Sequence, residues 1–198
     1  MSSNAVARPL VSLALPQGGA ARLVVQAALV IGGTLLLALS ATAKVVLGPV
    51  DMSLQTLVVL LIAATFGFRL GVATLLAYLA EGAAGMPVFQ GTPEKGIGLA
   101  YMIGPTGGYL AGFLVMAAIV GWAVDQGWGK NLIKLGGAML VAELVMMVMG
   151  FAWLAYLIGI DKSWQFGVAP FIVPDLIKVA LAAAVMVAAG SVVGRAAR

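Results

Sequence analysis

The sequence contains no cysteine and no histidine, and only 9% of its residues are charged. Without Cys there is no disulfide framework, thiolate nucleophile or thiolate metal site. Without His the commonest general base and the commonest metal ligand are both missing, and no Ser–His–Asp set can form. Seven acidic residues, scattered along the chain, are too few for a metal cage. No G-x-x-x-x-G-K-[ST] phosphate loop occurs, which removes that route to ATP binding. A soluble domain carries roughly 25% charged residues. Eleven basic and seven acidic side chains over 198 residues cannot furnish a water-facing surface. Disorder fails on the same arithmetic, because it requires low hydrophobicity and high charge.

What is present is apolar. The composition is 63% hydrophobic and the mean hydropathy is +1.12. The chain therefore reads as an integral membrane protein, all-α, with room for one membrane domain and no soluble domain beside it. The few charges punctuate it. Leu23–Ala43 is a charge-free run, followed by Ser53–Phe68 and, across Arg69, by Leu70–Ala80. Gly104–Val124 is charge-free; Leu132–Gly159 holds Lys134 at its start and Glu143 inside it; Phe171–Val193 holds Asp175 and Lys178 near its start. These are six candidate spans, the second and third short and joined tightly at Phe66–Arg69. Residues 1–21 read as a polar cytoplasmic tail, since Val11–Leu15 is too short for a signal-peptide core and Pro16 interrupts it. Residues 22–198 form the six-span domain.

The cations set an orientation. Six spans with the N-terminus inside place Arg8, Arg22, Arg69, Lys130, Lys134, Arg195 and Arg198 in the cytoplasm. Only Lys44, Lys95 and Lys162 then lie in outer loops. The expectation is a six-helix bundle with both termini cytoplasmic. Its longest outer connection, Gly85–Gly98, mixes turn formers with Val88 and Phe89, and suits either a lid or a plain ordered loop.

The polar residues that remain have a pattern. Asp175 and Lys178 are three apart, on one helix face, inside an apolar span. Ionisable groups there are expensive and face a cavity or a partner. They suit a small polar ligand, or they form an ion pair that neutralises itself. Gly104-Pro-Thr-Gly-Gly-Tyr109 opens the fourth span, with glycines that permit close approach and Thr106 and Tyr109 that can hydrogen-bond. Gln55 brings an amide into the second span, for a ligand or for a neighbouring helix. Gln55, Glu81, Gln90, Thr106, Tyr109, Asp175 and Lys178 all fall in the expected outer half. That is the pattern of an outward-facing small-molecule pocket, and it favours transport or capture over catalysis. Glu143, in the inner half of its span, reads first as a structural partner of Lys130 or Lys134, with contact to a partner as the alternative. Thr34, Ala38 and Thr42 are spaced by four, a small-residue stripe for bundle packing or for a second membrane subunit.

Four elements, in this order and spacing, carry a family resemblance: Ser53-Leu-Gln-Thr-Leu57, Gly85-Met-Pro-Val-Phe89, Gly104-Pro-Thr-Gly-Gly-Tyr-Leu-Ala-Gly-Phe113, and Pro170-Phe with Asp175-Leu-Ile-Lys178. Together they resemble the BioY family, the biotin-binding S components of energy-coupling factor (ECF) transporters, from about Lys44 to Ala183. The resemblance implies a six-helix bundle that captures biotin at high affinity in the cytoplasmic membrane of a prokaryote. No cofactor is implied, with biotin the transported ligand. The implied partners are a transmembrane coupling subunit that meets Thr34, Ala38 and Thr42 on the first helix, and an ATPase pair. Some members act alone or as oligomers, so a homo-oligomer is the other assembly implied.

The resemblance carries ligand contacts onto Asp175 and Lys178, with Gln55, Gln90, Thr106 and Tyr109 completing the polar set. Phe89 and the Gly107 backbone are expected to meet the apolar parts of the ligand. Two local departures stand out. Phe171-Ile-Val-Pro-Asp175 replaces an expected Phe-Leu-Pro-Gly-Asp, and the lid loop carries Gln90 and the Glu94–Lys95 pair where glycines are usual. The competing readings are an S component for another vitamin and a structural membrane subunit whose Asp175–Lys178 pair only holds the bundle.

Overall fold

The fold was analysed in a computed structural model, which describes residues 9–13 and 15–196; side chains at 13 and 193–196 fall outside that description. Arg8, Arg198 and residues 1–8 and 14 of the expected tail therefore lie outside the described residues, as does the side chain of Arg195. After a 3-10 turn at Leu10–Leu13, the elements are α1 (Gly19–Thr42), β1 (Lys44–Val45), β2 (Met52–Ser53), α2 (Gln55–Ala83), α3 (Leu99–Met102) and α4 (Gly107–Asp125). A 3-10 turn at Trp128–Lys130 leads to α5 (Leu132–Ile158), α6 (Ile160–Ser163), a π-turn at Trp164–Val168 and α7 (Ile172–Ala196). Among the described residues, five helices are long and apolar enough to cross a membrane: α1, α2, α4, α5 and α7.

The helix α2 absorbs both the second and third expected spans, but it is not straight. Gly67 has φ +75° and ψ −174°, values outside any helix. Gln55 Nε2 nevertheless donates to the Tyr78 hydroxyl at 2.6 Å. In a straight helix those residues would stand about 35 Å apart. The chain therefore reverses at Gly67, inside the Phe66–Arg69 joint expected from the sequence, and runs back beside itself, Gly71 against Ala63. Only glycine takes this φ without strain. Asp125, at the end of α4, accepts from the freed Phe68 N–H at 3.2 Å, a carboxylate at a helix start.

At the centre lies α4, which packs extensively on α2 and along α5. Close approach to α5 depends on absent side chains. A Cβ at Gly108 would fall 2.5 Å from Trp153 Cβ and 2.6 Å from the Met149 carbonyl, and one at Gly150 would overlap the Tyr109 ring. Small residues four apart let membrane helices approach in this way. Peripheral α1 buries a single stripe, Gly33, Thr34, Leu37, Ser40 and Ala41, and presents Leu35, Leu36 and Leu39 outward. That corrects the expected partner stripe: Thr34 turns into the bundle, Ala38 is half-buried, and only Thr42 is exposed.

Pro174 sits in the first turn of α7, where its missing N–H removes no helical bond. Asp175 keeps its own N–H bond to the Phe171 carbonyl at 2.9 Å. The local departure at Phe171–Asp175 is thus accommodated as a helix start, with the acid in the first turn.

Candidate functional site

The starts of α2, α4 and α7 and the far ends of α2 and α5 meet at one end of the bundle. The β1–β2 connection and the loop 84–98 cover that end. A narrow cleft lies there. Its polar lining includes Gln55 and Thr56 from α2, Gln90 from the loop, Thr106 and Tyr109 at the start of α4, and Asp175 and Lys178 from α7. Leu110, Phe113, Met146 and Phe171 supply the apolar wall. Six of the eight residues expected to touch a ligand are therefore brought together.

The other two are not. Phe89 lies under the cleft wall, stacked on Tyr101 with ring centroids 5.1 Å apart and edge-on to Tyr78 at 5.4 Å. It occupies the space left by Gly82, where a Cβ would overlap its ring. Gly107 is covered by the Met102 carbonyl and Trp153, so its backbone serves helix packing. Glu81 is half-buried at the end of α2 and does not line the cleft.

Lys178 is the electrostatic centre. Its ammonium donates to Asp175 Oδ1 at 2.8 Å, to the Ser53 carbonyl at 2.7 Å and to Thr56 Oγ1 at 3.0 Å. An ammonium has three donors, so all are engaged. Asp175 is 2% exposed, and its second oxygen, Oδ2, has no hydrogen-bond partner. A buried acceptor without a partner is costly, and it stands ready for a ligand donor. Gln55 spends its amide N–H on Tyr78, whose hydroxyl in turn donates to the Val88 carbonyl at 2.9 Å. The Tyr109 hydroxyl donates to the Gly167 carbonyl at 2.7 Å. Helix-to-helix bonding, the alternative weighed for Gln55, is thus present together with placement in the cleft.

Sequence reasoning passed over Asp51. It lines the cleft at 2% exposure and receives Lys95 Nζ at 2.7 Å, with Lys44 Nζ 4.0 Å from its other oxygen. Gln90 donates to the Asp51 carbonyl at 2.8 Å, Lys95 to the Gly48 carbonyl at 2.8 Å, and Lys44 to the Gln90 carbonyl. These bonds fasten the loop 84–98 to the β1–β2 connection. The charged Glu94–Lys95 pair, a local departure in the sequence, was the signal available. Tyr101, on α3, is also part of the lining, and burial pushes its hydroxyl above its ordinary value, so it stays neutral.

Glu143 contradicts its expected role. It makes no ion pair with Lys130 or Lys134. It is 5% exposed, neither oxygen has a hydrogen-bond partner, and it borders an apolar groove that also reaches Asp175.

The BioY family model matches residues 11–195. A probable biotin transporter BioY of Pyrococcus horikoshii is 38% identical over 74% of this chain and 85% of its own length. The biotin transporter BioY2 of Lactococcus lactis is 34% identical over 75% of this chain and 81% of its own. The biotin transporter BioY of Thermotoga maritima is 34% identical over 76% and 86%. Among solved structures, the S-component for biotin from an ECF-type ABC transporter superposes with a TM-score of 0.71. It covers 88% of this chain and 95% of its own at 20% identity, a likeness of fold.

Proposed function

The chain belongs to the BioY family, and on that premise we propose that it is the membrane-embedded subunit that captures biotin for uptake. It is a multi-pass membrane protein of a prokaryote and not an enzyme; biotin is its transported ligand, and no cofactor is called for. The observation that carries this reading is the buried Asp175–Lys178 pair inside a cleft whose lining, Asp51 apart, is otherwise neutral polar and apolar.

Biotin presents two ureido N–H donors, one strong carbonyl acceptor, a thioether ring and a carboxylate. Asp175 accepts from a ureido N–H group through its open oxygen. Lys178 exchanges one of its protein acceptors for a ligand oxygen, either the ureido carbonyl or the carboxylate. Gln55, Gln90, Thr106 and Tyr109 complete the polar contacts, while Phe113, Met146 and Phe171 meet the ring and chain. Phe89 acts from beneath, by holding Tyr101 in the wall. Biotin methyl ester decides the role of Lys178: a large loss of affinity on esterification assigns the lysine to the carboxylate.

We place six crossings in the cytoplasmic membrane, counting the arms of α2 separately, with both ends inside and the cleft outward. The cation pattern supports this. Arg22, Arg69, Lys130 and Lys134 stand exposed at the end opposite the cleft, a positive-inside distribution. The loop 84–98 is then a lid. Energy comes from a transmembrane coupling subunit and an ATPase pair. Of the three α1 residues read as contacts with that subunit, Ala38 and Thr42 are reachable and Thr34 is not. Calorimetric titration of the purified protein with biotin, desthiobiotin and riboflavin tests the reading. Tight biotin binding supports it, and preference for another vitamin, or none, by folded protein refutes it.

A further inference from the structure

Glu143 has no part in the site described above, yet it is buried with both oxygens unpartnered. It lies on α5. The facing element α7 presents Asp175 and Lys178; Asp175 borders the same groove as Glu143, and its Oδ2 is likewise buried without a partner. From α4 the nearby titratable group is Tyr109, whose hydroxyl is committed to the Gly167 carbonyl. The groove beside Glu143 is otherwise apolar, lined by residues such as Leu140, Leu144, Met147, Phe151 and Trp164.

Two counts then conflict. Two buried carboxyls face one ammonium, and all three donors of that ammonium are spent on Asp175, Ser53 and Thr56. Lys178 has nothing left to give Glu143. Two ionised carboxylates on one buried apolar groove, with a single counter-charge, are strongly unfavourable. A single proton removes the conflict. It turns two unpartnered acceptors, one on Glu143 and Asp175 Oδ2, into one hydrogen bond.

We propose that Glu143 and Asp175 form a proton-binding site within the bundle. Glu143 carries the proton and donates it to Asp175 Oδ2, which positions the Asp175 carboxylate for its ligand. Oδ2 keeps a second lone pair for the ligand donor. Loss of the proton sets two anions against each other, displaces Asp175 and repels an anionic ligand. Affinity therefore requires the proton. The ligand half of this inference rests on the biotin reading; the proton site does not.

The test uses the full chain in detergent, with two readouts. Infrared spectra of the ligand-free protein at neutral pH are recorded with and without carbon-13 in its three glutamate side chains. The expected result is a protonated-carboxyl C=O band that moves on labelling and vanishes in Glu143→Gln. The absence of such a band, or a band indifferent to the label, overturns the proton site whether or not biotin binds. Biotin affinity is then measured from pH 6 to 9.5. Wild type is expected to lose affinity with rising pH, by up to about tenfold per unit for a one-proton linkage. Glu143→Gln, whose amide can still donate, is expected to bind as wild type does at neutral pH and to show a flat profile. A flat wild-type profile, or the same alkaline loss in Glu143→Gln, overturns the linkage and would assign any loss to Lys178. A Glu143→Leu variant that binds as well as Glu143→Gln would overturn the positioning role.

Discussion

Gln55 and Tyr78 are 23 positions apart in sequence and joined by a 2.6 Å hydrogen bond. That bond ties the two arms of α2 together beneath the cleft and links the cleft, through the Tyr78 hydroxyl, to the Val88 carbonyl of the covering loop. The reversal at Gly67 makes it possible.

Gly67→Ala should therefore destabilise the bundle. Backbone with this φ and ψ is open essentially to glycine alone and costs another residue about 1–3 kcal/mol. The new Cβ would also lie 2.5 Å from both Asp125 Oδ1 and Pro9 Cγ. The expected outcome is a lowered Tm in detergent, with biotin affinity preserved in the fraction that stays folded. An unchanged Tm would mean that the turn is not constrained as described.

Gly150→Val tests the α4–α5 contact. The added side chain would displace the Tyr109 ring, and overpacking of this kind costs typically about 1–3 kcal/mol. Because Tyr109 borders the cleft, this variant should lose both stability and affinity. Gly137→Val, at a position with open space around it, is the control and should leave both nearly unchanged.

Lys95 and Asp51 hold the covering loop at 2.7 Å. A hydrogen bond to a charged group contributes about 1.5–3 kcal/mol, but Lys95 is 32% exposed and solvent screens part of that. Lys95→Ala should speed biotin dissociation several-fold while changing association little. Asp51→Asn should do the same, and the double variant should be no worse than the sum of a shared contact allows. Strict additivity of the two effects would show that the pair does not act as one latch.

The membrane class, the helix limits and the position of the α2 reversal were legible in the sequence, because each depends on local features: apolar runs, sparse charges and a glycine between two short spans. Six of eight cleft residues were legible because polar groups inside apolar spans are rare and carry meaning. Phe89, Gly107 and Thr34 were misplaced for a different reason. Whether a residue lines the cleft or packs behind it depends on close contacts between distant segments, such as Phe89 in the space left by Gly82 and Gly107 under the Met102 carbonyl. Glu143 was assigned to nearby lysines by sequence proximity, whereas the helix turns it toward α7. Asp51 was missed because nothing local marks an acid in a loop whose partner, Lys95, lies 44 residues away.

The central claim is that the Asp175–Lys178 pair recognises biotin, and calorimetric titration of wild type against Asp175→Asn tests it most directly. Loss of a charged hydrogen-bond partner costs about 1.5–3 kcal/mol, so the variant should bind biotin roughly 10- to 150-fold more weakly while keeping its fold. Normal biotin binding by folded Asp175→Asn would contradict the account and return the pair to a purely structural role.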